Sequence, residues 1–194
     1  MDNIKWQKYL RIPQEPIASS EQEDNMKEYG QHMLPYKNVL DVGCGKGMLV
    51  HWLHTKNINA IGITKNPKEI ELGKAMYGKD HKIQVGDMHE IPFPDKHFDA
   101  LHTKDCMEHA IAPYIALCEF NRVLKPNGFC LIVVPDVKQW QTEHYHYSCL
   151  YRDQMEALFK KTKFKVIKVT EAPPPVGGTI FTSYFLEKNG DIEL

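Results

Sequence analysis

A chain of 194 residues, 42% hydrophobic and 25% charged, has the size and composition of one globular domain rather than of a disordered or fibrous protein. A formal net charge of −1 argues against a nucleic-acid binder, whose affinity rests on a basic surface. No run approaches the roughly 18 apolar residues of a membrane span. The five cysteines (Cys44, Cys106, Cys118, Cys130 and Cys149) contain no C-x-x-C pair, which fits neither a disulfide framework nor a zinc site. Reduced thiols, and a start Met1-Asp2-Asn3-Ile4-Lys5-Trp6 without an apolar leader, make a cytoplasmic protein the expectation.

Residues 1–18 mix Trp6, Tyr9 and Ile12 with Pro13 and Pro16 and read as an arm, leaving one domain over 19–194. Ser20 and Glu23 form a capping box, after which Met26, Tyr29 and Met33 recur at helical spacing until Pro35. Asn38–Val42 is a short apolar run, and Met48, Leu49, Trp52 and Leu53 form the apolar face of a helix. Ile58–Ile63 is the second run. Asn66-Pro67-x-Glu69 then opens a helix, with Asn as N-cap, Pro at the first helical position and Glu able to reach back.

Lys82–Val85 and Phe98–Thr103 are the third and fourth runs. A helix ending in Phe120, Val123 and Leu124 meets the turn signal Asn127-Gly128. Phe129–Val134 is apolar without alternation, as in a strand covered on both faces. Five strand–helix alternations predict a doubly wound parallel α/β sheet. Phe164–Thr170 and Thr179–Leu186 follow with only a Pro-Pro-Pro-Val-Gly-Gly connection between them, so the last strand is expected to run antiparallel. Lys160, Lys161, Lys163, Lys165 and Lys168 read as a helix end and the outer face of a strand.

The most informative stretch is Val39-Leu40-Asp41-Val42-Gly43-Cys44-Gly45-Lys46-Gly47. Glycines after a buried strand allow a tight turn and a close approach of ligand to backbone. In an open parallel sheet that place is the ligand crevice. Dinucleotide sites require G-x-G-x-x-G, whereas this is G-x-G-x-G, which argues against an NAD-linked oxidoreductase. The pattern D-x-G-x-G-x-G resembles motif I of class I S-adenosylmethionine (SAM)-dependent methyltransferases.

Three further segments carry the same resemblance in the same order. Gly86-Asp87-Met88-His89-Glu90-Ile91-Pro92-Phe93-Pro94 leads into Phe98-Asp99, as in the small-molecule, type 11 branch. Asp105-Cys106-Met107-Glu108-His109 is similar to the D-x-L-E-H after strand four, and Arg122-Val123-Leu124-Lys125-Pro126-Asn127-Gly128 to the R-V-L-K-P-G-G before strand five. The resemblance spans roughly residues 37 to 170. It implies a Rossmann-like sheet of seven strands in the order 3-2-1-4-5-7-6, SAM as cofactor, and methyl transfer to an oxygen or nitrogen of a small-molecule acceptor. Asp41, Gly43, Gly45, Gly47, Asp87, Met88 and Lys104 are its expected cofactor residues, with Asp87 accepting from the adenine amine.

The chain departs from that pattern at the end of strand two, where the family carries an acid that grips the ribose hydroxyls and this chain has Thr64. Gly62-Ile63-Thr64-Lys65-Asn66 is similar instead to cyclopropane-fatty-acid-synthase-like methyltransferases, which hold the adenosine from the next helix, where Glu69 stands. Thr64 and Glu69 are therefore expected to share the ribose, the alternative being that Glu69 only caps its helix.

Histidine titrates in the range of a general base. His109 follows strand four, and His144 and His146 follow strand five, across the expected acceptor pocket; one or more of them is expected to contact the acceptor. No acidic cluster beside His144 and His146 completes a ligand set, so no metal is expected. Tyr184 and Lys188 match Y-x-x-x-K of short-chain dehydrogenases, but on a predicted strand rather than the helix that pair needs. Thr103-Lys104-Asp105-Cys106 stands where nucleic-acid amino-methyltransferases carry (N/D/S)-P-P-(Y/F). The alternatives left open are a methyltransferase acting on protein, lipid or RNA, and a catalytically silent SAM-binding partner subunit.

Overall fold

The apolar runs of the sequence become strands of one sheet. A computed structural model describes residues 27–137, 145–148, 150–172 and 180–192. The 1–18 arm, Ser20, Glu23, Met26, His144, Cys149, Thr179 and the Pro-Pro-Pro-Val-Gly-Gly connection lie outside the described residues. The strands are β1 (Asn38–Val42), β2 (Asn59–Thr64), β3 (Ile83–Val85), β4 (Phe98–Lys104), β5 (Leu124–Pro135), β6 (Phe164–Ala172) and β7 (Phe181–Lys188). Their order is β3-β2-β1-β4-β5-β7-β6. All pairings from β3 to β5 are parallel, and β7 runs antiparallel between β5 and β6.

Helices α1 (Met48–Thr55), α2 (Pro67–Tyr77), α3 (Pro113–Val123) and α4 (Arg152–Lys161) cover the sheet. Strand β5 shows why its sequence does not alternate. Leu131 and Val133 join an apolar cluster with Val50 and Leu53 of α1. Cys130, Ile132 and Val134 join a second cluster with Leu117 and Phe120 of α3 and Phe159 of α4. Successive side chains point to opposite faces, and both faces are covered. Full burial of one such side chain contributes roughly 1.5–3 kcal/mol, so a polar residue at any of these five positions would be costly.

Lys160 and Lys161 lie in the last turn of α4, and Lys165 and Lys168 on exposed β6 positions. Because β6 is the outer strand, these charges and the register shift between Val166 and Lys168 discourage another strand from pairing with it. Tyr184 and Lys188 lie on β7 and do separate jobs. Tyr184 packs edge-on against Phe159, while the fully buried Lys188 donates through Nζ to the carbonyls of Asn121 (2.8 Å) and Leu124 (2.9 Å).

Helix α2 starts as expected: Asn66 Oδ1 accepts from Lys68 N–H, and Pro67 is the first helical residue. Further along, α2 presses on the turn after β1 so closely that a Cβ at Gly73 would overlap the Lys46 carbonyl oxygen. On an exposed helix Gly→Ala stabilises by about 1 kcal/mol. Here the sign reverses: Gly73→Ala is expected to lower stability by about 1–3 kcal/mol, read from the denaturant midpoint. A variant more stable than the parent would show that α2 does not rest on this turn.

Candidate functional site

The strand order reverses direction of growth between β1 and β4, and ligands of open parallel sheets sit at the carboxyl ends of the strands flanking such a point. The turn after β1 occupies that place. Gly43 N–H and Cys44 N–H both donate to the Ile63 carbonyl of β2, at 2.9 and 3.0 Å. Gly43, Gly45 and Gly47 all have φ between 53° and 78°, a region where only glycine is unstrained. Their surroundings differ. A Cβ on Gly43 would collide with Cys106, and one on Gly47 with His81 and Ile83, whereas one on Gly45 would meet only Glu69 Oε1, at 3.9 Å. Gly43 and Gly47 are thus required by packing, and Gly45 is the open position of the turn.

Glu69 reaches Gly45 from the first turn of α2. Its Oε2 accepts from the Thr64 hydroxyl at 2.5 Å, and Thr64 Oγ1 in turn accepts from Asn66 N–H at 3.2 Å. The carboxylate is therefore held by Thr64 instead of turning back to cap its own helix. Thr64 and Glu69, expected to act together, are brought into direct contact.

Asp41 is buried at the end of β1. Its Oδ1 accepts from Nδ1–H of His102, which the parallel register places beside it on β4 (2.8 Å). His102 belongs to no motif and was not anticipated; its one signal is a polar residue inside a buried strand.

Asp87 follows β3 and is also buried. Oδ1 accepts from the backbone N–H of His89 (3.0 Å) and from His89 Nδ1–H (2.7 Å). Ala112 N–H donates to His89 Nε2, which assigns the proton to Nδ1. Lys65 Nζ stands 3.0 Å from Oδ2 without hydrogen-bond alignment, so that oxygen keeps its acceptor capacity. Burial alone would raise the Asp87 carboxyl, but the His89 hydrogen bonds and the Lys65 charge outweigh it and hold the group well below the usual carboxylate range. Met88 buries its side chain in the core. Lys104 ion-pairs with Asp105 and sits 4.3 Å over the centre of the Phe181 ring.

Arg122 explains why two motifs distant in sequence occur together. Its guanidinium donates to the carbonyls of Ile91 (2.9 Å) and Phe93 (2.8 Å) and to Glu119, whose Oε2 also accepts from Ile91 N–H. The motif before β5 thereby clamps the Ile91-Pro92-Phe93 segment that follows Asp87.

Beyond β4 the chain makes a short 3-10 turn, Met107–His109. The segment 145–148, from the loop after β5, is stitched onto it. Tyr147 N–H and Ser148 N–H donate to the Glu108 carbonyl (2.8 and 3.0 Å), and the Ser148 hydroxyl donates to the Ala110 carbonyl. His109 Nδ1–H donates to the Tyr145 carbonyl (2.9 Å), and the His109 and His146 rings meet edge to face with centres 4.9 Å apart. His109 and His146 are thus brought together, and His144 lies outside the described residues. Glu108, not singled out from sequence as a functional residue, is buried beside them; burial and the Asp105 charge push its carboxyl up to about 8. Burial likewise pushes the Cys44 and Cys106 thiols up, so neither is an activated nucleophile.

Residues 40–132 match the methyltransferase domain family model. Among curated relatives, norajmaline N-methyltransferase of Rauvolfia serpentina is 33% identical over 103 residues, which is 50% of this chain and 35% of that protein. The chain spans about a third of the length of curated relatives that it matches. A SAM-dependent methyltransferase from Archaeoglobus fulgidus superposes with a TM-score of 0.72 at 15% identity, covering 88% of this chain and 95% of that one. The [4+2]-cyclase SpnF superposes with a TM-score of 0.70 at 16% identity, covering 90% and 84%. Residues 40–132 are thus similar to methyltransferase domains of the type 11 branch, and the sheet has the class I SAM-dependent methyltransferase fold. The cofactor this family implies is SAM.

The site residues fit that group: Gly45 leaves open space above the turn, and Asp87 Oδ2, ion-paired with Lys65 but without a hydrogen bond, can still accept one. The low folded value of Asp87 also has a consequence for stability. Relative to its ordinary 3.8, the shift contributes stability that is fully present above that pH and is lost as the pH falls through the folded value. Asp87→Asn should therefore be less stable than the parent at about pH 6 and converge with it on acidification. Stability curves that stay parallel down to acid unfolding would contradict this pairing.

Proposed function

We propose that the domain binds SAM across the carboxyl ends of β1, β2 and β3 and transfers its methyl group to an oxygen or nitrogen of a small-molecule acceptor. The observation that carries the reading is the Glu69 carboxylate poised over Gly45 and held there by Thr64. It supplies from α2 the acid that the end of β2 lacks. In this reading Glu69 and Thr64 hold the ribose, Asp87 Oδ2 accepts from the adenine amine, with Met88 beside it, and Asp41 faces the cationic methionine end. Gly43 and Gly47 keep the turn in shape, and Lys104 borders the site through its contacts with Asp105 and Phe181. The N-methyltransferase relative supports a small-molecule acceptor. Four free thiols among the described residues support a reducing, cytoplasmic setting, and none of the described helices is long and apolar enough to cross a membrane.

SAM bound there supplies an electrophilic methyl group on a positively charged sulfur. The chain's main task is then to hold the acceptor at near-attack distance, a contribution of several kcal/mol. His109 lies at the acceptor side. Its Nδ1–H is committed to the Tyr145 carbonyl, which leaves the lone pair on Nε2 to take a proton from an acceptor hydroxyl or ammonium. We place His146 on the same side.

Calorimetric titration with SAM and S-adenosylhomocysteine tests the cofactor half. Gly45→Val should abolish binding, and Asp87→Ala should cost about 1.5–3 kcal/mol, as should Glu69→Ala, because both remove a charged hydrogen-bonding group. Thr64→Ala should cost less than about 1 kcal/mol. Binding of NAD in place of SAM would overturn the reading. With an authentic acceptor, His109→Asn or His146→Asn should lower turnover at least ~10²-fold while leaving SAM affinity within about threefold. Normal turnover in both would leave positioning as the whole mechanism.

A further inference from the structure

The turn after β4 carries a constellation that the cofactor does not use. One ligating atom from each of Glu108, His109 and His146 lies within 4.8 Å of the other two. Donors about 2.1 Å from a tetrahedral ion stand roughly 3.4 Å apart, so the set need close by no more than about 1.4 Å to hold one. Glu108 is 2% exposed, and its Oε2 has no hydrogen-bond partner among the described residues. Lys104, a neighbouring cation, is paired with Asp105. A buried carboxylate oxygen left without a partner is costly, and a cation beside it would remove that cost. His109 is oriented as metal-bound imidazoles usually are, with one ring nitrogen donating to a carbonyl and the other carrying the lone pair.

We infer that Glu108, His109 and His146 bind a divalent first-row transition-metal ion. Two imidazoles and one carboxylate suit zinc, cobalt, nickel, iron or manganese rather than calcium or magnesium. Three protein ligands leave at least one coordination position open, the mark of a reactive rather than a purely structural site. The sequence expectation of no metal looked for acids beside His144 and His146 in the chain. The carboxylate instead arrives from the exit of β4, through the docking of 145–148 onto the Met107–His109 turn.

What the ion does rests on the methyl-transfer reading: its open position would face the acceptor and favour molecules with a metal-ligating oxygen or nitrogen near the methylated atom. With the ion bound, the two imidazoles are ligands and not bases. That ion binding occurs at all does not rest on that reading.

The test uses the full chain, stripped of metal by a chelator and titrated with Co2+ in the absence of SAM and acceptor. Visible absorption is expected to show one Co2+ per chain in a low-symmetry, four- or five-coordinate site. Glu108→Gln, His109→Asn and His146→Asn should each weaken binding at least ~10²-fold, with folding checked by melting temperature. His51→Asn, outside the cluster, should bind Co2+ as the parent does. Should a variant fail to fold, diethyl pyrocarbonate labelling of the parent gives the same answer: Co2+ should protect His109 and His146 and leave His51 reactive. Absence of Co2+ binding, binding retained by the three variants, or equal labelling with and without Co2+ would overturn the proposal. A failure here leaves methyl transfer standing, and a failure of SAM binding leaves the Co2+ result unaffected.

Discussion

Two main-chain donors converge on one acceptor at the centre of the site. Gly43 N–H and Cys44 N–H share the Ile63 carbonyl, which pins the turn after β1 to the end of β2. The other groups take their places from that bond. Thr64 is the next residue of β2, so its hydroxyl stands beside the pinned turn, where Glu69 of α2 can reach it. Gly62 lacks a side chain because Cys44 lies against it, and Gly73 because Lys46 does. Strand, turn and helix are drawn together until, of the three glycines of the turn, only Gly45 has free space above it.

The three acids proposed to hold the cofactor are already bonded within the chain. Asp41 is bonded by His102, Asp87 by His89 and Glu69 by Thr64. Each such bond restricts a side chain that would otherwise lose rotamer freedom on binding, a cost of about 0.5–1.5 kcal/mol apiece. Glu108 is the exception: buried like Asp41 and Asp87, it has no donor for Oε2 among the described residues, and its carboxyl rises where that of Asp87 falls. Burial dominates at Glu108, where no donor meets Oε2, whereas hydrogen bonds and the Lys65 charge dominate at Asp87.

The strands were legible because burial on both faces leaves a mark in composition. Asn38–Val42 has the same bounds in sequence and structure, and the seven-strand order with an antiparallel last strand stands as expected. Asn66 and Pro67 announced the start of α2 through local chemistry alone. The pairing of Thr64 with Glu69 was implied by the resemblance at the end of strand two, but whether Glu69 would cap its helix or face the turn depended on where α2 landed. His102 and Glu108 were hidden for a related reason. The partner of His102 sits across a strand pairing at Asp41, 61 positions away, and Glu108 meets His146 only because a loop after β5 folds back over the turn after β4. Local periodicity carries no information about contacts that the sheet makes between distant segments.

The most direct measurement is a crystal structure of the protein grown with S-adenosylhomocysteine. The account predicts the ribose hydroxyls within hydrogen-bond distance of Glu69, the adenine amine on Asp87 Oδ2, and the ligand crossing Gly45 at van der Waals contact. Ligand density away from the β1 turn, or an adenosine bound without touching either carboxylate, would contradict it.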